Sequence, residues 1–125
     1  MSDRELLELA AKAAGYVIEL DMNWGTGGMP FFRMSGNKWN PLTDDGDALR
    51  LAVTKRFTIK DFAPWANPEI AQAPPDAALW GMVEIWREDD NDPLYVEWYK
   101  ADADRFAATR RAIVRAAAAI GKATP

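Results

Sequence analysis

The strongest constraint on the fold is the segment LWGMVEIWREDDNDPLYVEWYK, residues 79–100. Two runs that alternate apolar and polar side chains flank an acidic turn, and this pattern predicts a β-hairpin. One face of the hairpin is predicted to carry Val83, Ile85, Leu94, Val96 and Trp98. The opposite face is predicted to carry Met82, Glu84, Trp86, Tyr95, Glu97 and Tyr99.

The second of these faces is aromatic as well as acidic, and it is too apolar to be left in water. Either a helix covers it, so that the sheet is buried on two sides, or the face is a contact surface for a partner. Three helices are predicted elsewhere in the chain, and they favour cover by a helix.

The first helix is predicted from SDRELLELAAKAAG near the N-terminus. Ser2 and Glu5 fit a capping box, and Gly15 suits the position just after the last helical turn. The spacing of apolar residues predicts one packed face, formed by Leu6, Leu9, Ala10 and Ala13.

The last helix is predicted over residues 103–121, within DADRFAATRRAIVRAAAAIGK. Gly121 is expected to end it. Its apolar residues recur with the helical period and predict a buried face formed by Phe106, Ile113, Ala117 and Ile120.

Further strands are predicted over residues 16–20, 29–34 and 57–62. The segment APWANPEIAQAPPDA, residues 63–77, contains four prolines. Proline disrupts helices and central strands, so a long loop is predicted here, either functional or laid against the domain by its apolar residues. A chain of 125 residues with 49% hydrophobic residues indicates one domain, residues 1–125.

The stretch WNPLTDDGDALRLAV, residues 39–53, gathers the three aspartates Asp44, Asp45 and Asp47. An EF-hand calcium loop needs a glutamate at its twelfth position, which is Lys55 here, so that geometry is excluded. A site for Mg²⁺ or for a basic side chain, made from these aspartates, stays open as the functional alternative.

The start of a helix explains the same aspartates without any ligand. Thr43 or Asp44 is predicted to be the N-cap, and Asp45 and Asp47 would then lie at the positive end of the helix dipole. The buried face of this helix is predicted to consist of Leu49, Ala52 and Val53.

The chain contains neither cysteine nor histidine. Their absence excludes disulfides, thiol nucleophiles, zinc sites with Cys or His ligands, and acid–base catalysis by histidine. Only two serines, Ser2 and Ser35, are present. We therefore predict that the protein is not an enzyme and that it holds no metal or cofactor.

The formal net charge of −4 argues against direct binding to nucleic acid or to an anionic membrane. No apolar run approaches the roughly 20 residues that cross a bilayer, and the N-terminal residues lack the pattern of a signal peptide. These features predict a cytoplasmic protein whose natural partner is basic.

Three blocks, MSDRELLELAAKAAG, WNPLTDDGDALRLAV and ATRRAIVRAAAAIGKA, closely resemble blocks found in this order in a family of small tailed-phage and prophage proteins. That family is associated with the name phage αβα-sandwich domain, and residues 57–99 depart from it in length and aromatic content. The resemblance implies an accessory phage protein in the bacterial host cytoplasm, with no catalytic motif to carry over. Together with the apolar hairpin, it implies an α+β single-domain α/β/α sandwich, with a mostly antiparallel sheet of about four to five strands and three helices.

The leading hypothesis is non-enzymatic binding to a host protein with a basic surface, inhibiting a host defence or regulatory complex. The predicted partner-binding residues are Glu84, Trp86, Glu88, Asp89, Asp90, Asp92, Glu97 and Trp98. The alternative is a protein that sequesters a small ligand such as a nucleotide signal. Its phosphate would be bound by Arg110, Arg111 and Arg115. A homodimer through the aromatic hairpin face is a further possibility.

Overall fold

A computed structural model describes residues 1–22, 29–62, 80–100 and 103–125. The predicted loop over residues 63–77 lies outside these ranges. Within them the chain forms three helices: α1 (Asp3–Ala14), α2 (Asp45–Thr54) and α3 (Arg105–Ala123). It also forms six strands: β1 (Glu19–Asp21), β2 (Phe31–Met34), β3 (Asn37–Trp39), β4 (Thr58–Phe62), β5 (Trp80–Trp86) and β6 (Tyr95–Lys100).

The described strands form two separate antiparallel sheets of three strands each, in the orders β1-β2-β3 and β4-β5-β6. The predicted α+β class with three helices is therefore confirmed. The prediction of one sheet with about four to five strands was wrong. A short strand, β3, pairs with β2 and completes the first sheet. Helix α3 packs against β5 and β6, while the layering with helices on both sheet faces stays a prediction.

Helix α1 begins and ends where its capping signals predict. The backbone N–H of Glu5 donates to the Ser2 hydroxyl over 3.2 Å. Gly15 takes the left-handed conformation, with φ of 73°, and its N–H contacts the last turn. The buried residues are Leu6, Leu7, Ala10 and Ala11, so the packed face is rotated slightly from the predicted one.

Helices α1 and α3 pack closely, and both bury small residues, among them Ala10, Ala117 and Gly121. Gly121 is buried inside α3, which continues to Ala123, so the prediction that it ends the helix was wrong. A β-carbon at this position would lie 2.0 Å from the backbone carbonyl oxygen of Leu9. Gly121 therefore permits the close approach of two helix backbones. This is a common role of glycine besides ending a helix.

The buried faces of α2 and α3 differ from the predicted buried faces. Leu49 and Val53 of α2 are exposed, and the buried residues on its apolar side are Ala48, Leu51 and Ala52. Phe106 of α3 was also predicted to be buried and is exposed. One position along a helix turns a side chain by about 100°, so a small error in the assumed face exposes a large residue.

The pairing of β5 with β6 sets which side chains share a face. Val83 lies opposite Glu97, and Ile85 lies opposite Tyr95. Residues directly opposite each other in an antiparallel pair point to the same side, so Tyr95, Glu97 and Tyr99 lie with Val83 and Ile85. The predicted grouping of the hairpin faces was therefore wrong. We call this side, against which α3 packs, the inner face.

The other side of the β4-β5-β6 sheet is the outer face, which the pairing of β4 with β5 extends to a third strand. The register assigns ten side chains to it: Thr58, Lys60, Phe62, Trp80, Met82, Glu84, Trp86, Val96, Trp98 and Lys100. Because both hairpin faces are rich in apolar residues, the sequence pattern left the register ambiguous by one residue, and such a shift exchanges the two faces.

Candidate functional site

The outer face is dominated by aromatic side chains. Trp80, Trp86 and Trp98 lie on it and are half-buried. Met82 lies between Phe62 and Trp98 on the neighbouring strands and is buried, although it stands apart from the main hydrophobic core. The outer face therefore has an apolar centre of its own.

Charged side chains fix the position of Trp86 on this face. The Lys60 ammonium lies 4.4 Å from the centre of the Trp86 ring. The indole N–H donates to Glu84 Oε1 over 3.2 Å. Sequence reasoning overlooked Lys60 and Lys100 here, because neither was placed on the correct face before the register was known. The outer face is thus aromatic with mixed charge, and not acidic.

The acidic residues are concentrated in the turn that joins β5 to β6. Asp90 accepts a hydrogen bond from Arg87 over 2.9 Å, and Glu88 lies 3.8 Å from the Arg56 guanidinium. Asp89 and Asp92 are exposed and form no ion pair with any described residue. We call Glu88, Asp89, Asp90 and Asp92 the acidic turn. It begins two residues after Trp86, so the acidic and aromatic features lie at the same end of the hairpin.

Glu97 lies on the inner face, away from the other predicted partner-binding residues. Arg115 Nη1 donates to Glu97 Oε1 over 2.8 Å and to the Tyr95 hydroxyl over 3.2 Å. Burial lowers the pKa of Arg115, but the hydrogen bond that Arg115 donates to Tyr95 and the charge of Glu97 more than offset this effect, and the pKa is raised. Glu97 therefore joins the sheet to α3 and is not presented to a partner.

The three arginines of the alternative phosphate site do not converge. Arg110 donates to the Leu42 carbonyl over 2.9 Å and to Asp45 over 2.7 Å. Arg115 is occupied with β6, as described above, and Arg111 is exposed. Arg110 and Arg115 are held by different neighbours, so these three arginines are not gathered around one phosphate position.

The three aspartates of residues 39–53 each have a separate structural role. Asp44 is the N-cap of α2 and accepts from the Asp47 N–H over 2.8 Å. Asp47 is buried and accepts from the Asn40 N–H over 2.9 Å and from Arg50 over 2.7 Å. Asp45 pairs with Arg110. The predicted capping by Asp44 is confirmed. In the described part of the chain, no group of three or more acidic side chains is arranged to hold a metal ion.

A second inner-face network surrounds Tyr99. Its ring packs over Gly81, where a β-carbon would lie 2.2 Å from the ring carbon that carries the hydroxyl. The hydroxyl donates to Asp61 Oδ1 over 2.9 Å, and Arg105 also binds Asp61. Burial and then the hydrogen bond to Asp61 raise the pKa of Tyr99. These contacts join β4, β6 and α3.

None of the helices within the described ranges has the length and apolarity needed to cross a membrane. Comparison of the chain with protein-family models, curated proteins and solved structures finds no match.

Proposed function

We propose that this chain is a non-enzymatic binding protein and that the acidic-turn end of the β5–β6 hairpin contacts the partner. The observation that carries the proposal is the position of the acidic turn immediately beside Trp86. Aromatic side chains supply contact area in protein interfaces, and complementary charge selects and orients the partner.

The charge of the acidic turn favours a partner with a basic surface. Four carboxylates lie within five residues, and among the described residues Arg56 and Arg87 pair with two of them. Such exposed ion pairs are weak and exchange readily with water or another cation. Asp89 and Asp92 can bind lysine or arginine side chains of a partner without breaking an ion pair to any residue that the structure describes. The turn can therefore present negative charge to a partner with little loss of internal ion pairing.

Trp86 supports the proposal because its orientation is already fixed. The Lys60 ammonium lies over its ring and Glu84 accepts its N–H, so binding does not need to order a free side chain. Tryptophan is also among the residues that most often dominate the free energy of binding in interfaces. We expect Trp86 to be the main apolar contact, while Trp98 lies farther along the same face, opposite Met82.

We propose that the partner is a host protein and that the chain is a phage accessory protein acting in the host cytoplasm. The resemblance to small tailed-phage proteins supports this setting. A host defence or regulatory complex that binds nucleic acid presents the basic surface that an acidic turn fits. Occupying that surface would inhibit the complex without any catalytic step.

Two further observations support binding over catalysis or nucleotide sequestration. Asp44 and Asp47 are engaged in capping and in fixing the segment before α2, so they are not free for proton transfer. Arg110 and Arg115 are engaged with Leu42, Asp45 and β6. A nucleotide would have to displace these contacts before it could bind both arginines.

The test is an affinity pull-down from the bacterial host with charge-matched variants. The hairpin variant carries Asp89→Asn and Asp92→Asn, and the control variant carries Asp3→Asn and Glu8→Gln on the exposed side of α1. Both variants lose two negative charges, but only the first changes the acidic turn. Trp86→Ala forms a third sample.

We expect wild type and the α1 control to retain the same host protein, and the hairpin variant and Trp86→Ala to lose it. Retention should weaken as salt rises, because the interaction is partly ionic. Equal retention by all variants would place the binding surface elsewhere. If wild type retains no host protein and calorimetry shows nucleotide binding, the sequestering function replaces this proposal.

A further inference from the structure

A groove with a volume of about 570 Å³ lies between α2, β4 and the first half of α3. Its apolar surface includes Leu49 of α2, Ile59 of β4, and Phe106 and Ile113 of α3. None of the described residues that line it belongs to the β5–β6 hairpin. The groove is therefore a surface separate from the proposed partner site.

Three large apolar side chains of this groove are exposed to solvent. The side chains of Phe106 and Leu49 are 68% and 61% exposed, and Ile59 is also exposed. Single exposed apolar residues are common on protein surfaces, but several that converge on one depression mark an interaction site. The groove combines a depression with protruding side chains, so it has both parts of a knob-and-hole contact.

Two ion pairs border the groove, one along its α2 wall and the other along its β4 wall. Arg110 of α3 binds Asp45 of α2 over 2.7 Å, while Arg105 of α3 binds Asp61 of β4. In the first pair the acid is the exposed member, because the Asp45 side chain is 76% exposed and the Arg110 side chain 17%. In the second pair the base is the exposed member, at 55% for Arg105 against 24% for Asp61. One wall therefore presents negative charge and the other presents positive charge.

We propose that a second copy of this chain occupies the groove and that the two copies are related by a two-fold axis. A two-fold rotation brings the negative wall of each copy to the positive wall of the other, so Asp45 meets Arg105 twice. The same rotation places Phe106 of each copy against the apolar groove of the other. Every exposed feature of the groove then meets its complement.

The charge arrangement favours a second copy over a partner of one charge. A uniformly basic or acidic partner would be attracted by one wall and repelled by the other, whereas a copy of the chain is attracted by both. A standard interface buries about 800 Å² on each partner. That area is roughly a tenth of the 7872 Å² accessible surface. The face formed by α2, β4 and α3 is the part of the molecule that would supply it.

Sedimentation velocity of the full chain tests whether the dimer forms. We expect wild type to sediment as a dimer at high concentration and to dissociate on dilution. Phe106→Glu should sediment as a monomer throughout, because a carboxylate would enter the apolar groove. Val17→Glu is the matched control, since Val17 is exposed and lies outside the groove. It should leave the dimer unchanged.

A charge exchange tests the two-fold arrangement itself. Asp45→Lys alone places two positive side chains together across the axis, and Arg105→Glu alone places two negative ones together, so each variant should be monomeric. An equimolar mixture restores two opposite-charge pairs and should recover the dimer. Circular dichroism of each variant before mixing checks that it is folded.

Three results would each overturn the proposal. The first is a wild type that stays monomeric at every concentration. The second is a dimer that folded Phe106→Glu leaves intact, because the interface would then lie elsewhere. The third is a mixture of folded charge variants that stays monomeric while wild type dimerises. The failure of the hairpin to bind a host partner would leave all of these expectations in place.

Discussion

The backbone carbonyl oxygen of Leu9 lies so close to Gly121 that a β-carbon added to Gly121 would be only 2.0 Å from it. The obstacle is backbone and not the end of a flexible side chain, so α1 and α3 would have to move apart to admit any side chain at Gly121. The close approach of these two helices therefore depends on one glycine.

Replacing Gly121 with alanine should lower the free energy of unfolding. Alanine gains about 1 kcal/mol of helix propensity over glycine. Overpacking a well-packed interior costs about 1–3 kcal/mol, and a backbone obstacle lies at the upper end, so we expect a net loss of about 1–2 kcal/mol. Urea denaturation measures it. Ala119→Gly is the control, because Ala119 is exposed on the same helix and the change alters helix propensity alone. A Gly121→Ala variant with the same free energy of unfolding as wild type would contradict the close packing of α1 against α3.

Both ends of α1 and the start of α2 could be predicted from the sequence, whereas the end of α3 could not, and the packed faces could be predicted only in part. Ser2, Gly15 and Asp44 act through hydrogen bonds to residues within a few positions, so the local sequence contains the whole cause. Phe106 and Gly121 depend on what lies opposite them in the folded chain. Their environment comes from α1, α2 and β4, which no local pattern specifies.

The three aspartates at the start of α2 should differ in their effect on stability. Asp47→Ala leaves the Asn40 N–H without its acceptor and should cost about 1–3 kcal/mol. Asp44→Ala removes an N-cap and should cost about 1 kcal/mol. Asp45→Ala breaks an exposed ion pair and should change stability by less than about 1 kcal/mol. Urea denaturation of the three variants gives the order. A largest loss at Asp45 would contradict the roles assigned here.

Stability should fall at alkaline pH through Tyr99. Burial and the hydrogen bond to Asp61 raise its pKa above the ordinary value of 10.0, so the folded state keeps the phenol proton to higher pH than the unfolded state. Its contribution is complete below pH 10.0 and is lost as pH rises through the raised pKa. Thermal melting against pH should show a smaller alkaline decrease for Tyr99→Phe than for wild type. Parallel curves would contradict the raised pKa.

The candidate site shows where sequence reasoning reached its limit. The acidic turn begins two residues after Trp86, so their proximity was predictable. Glu97 was assigned to the same surface, but the strand register places it on the inner face with Arg115. The register depends on the geometry of the turn, and the alternation of residues does not reveal it when both faces are apolar.

Neighbouring arginines of α3 should respond differently to truncation. Arg110→Ala removes hydrogen bonds to the Leu42 carbonyl and to Asp45, and should cost about 1–2 kcal/mol of unfolding free energy. Arg111→Ala should change it by less than about 0.5 kcal/mol, because the side chain is exposed. Thermal or urea unfolding compares the two. Equal losses would show that Arg110 is not the structural residue described here.

Titration calorimetry with the retained host partner, purified, tests the central claim most directly. Wild type, the variant with Asp89→Asn and Asp92→Asn, and the charge-matched α1 control should be compared at low and high salt. The account predicts that the hairpin variant binds about tenfold more weakly or worse at low salt, a loss of about 1.4 kcal/mol, while the control matches wild type. The difference should shrink at high salt. Equal affinities for the hairpin variant and the control would contradict binding through the acidic turn.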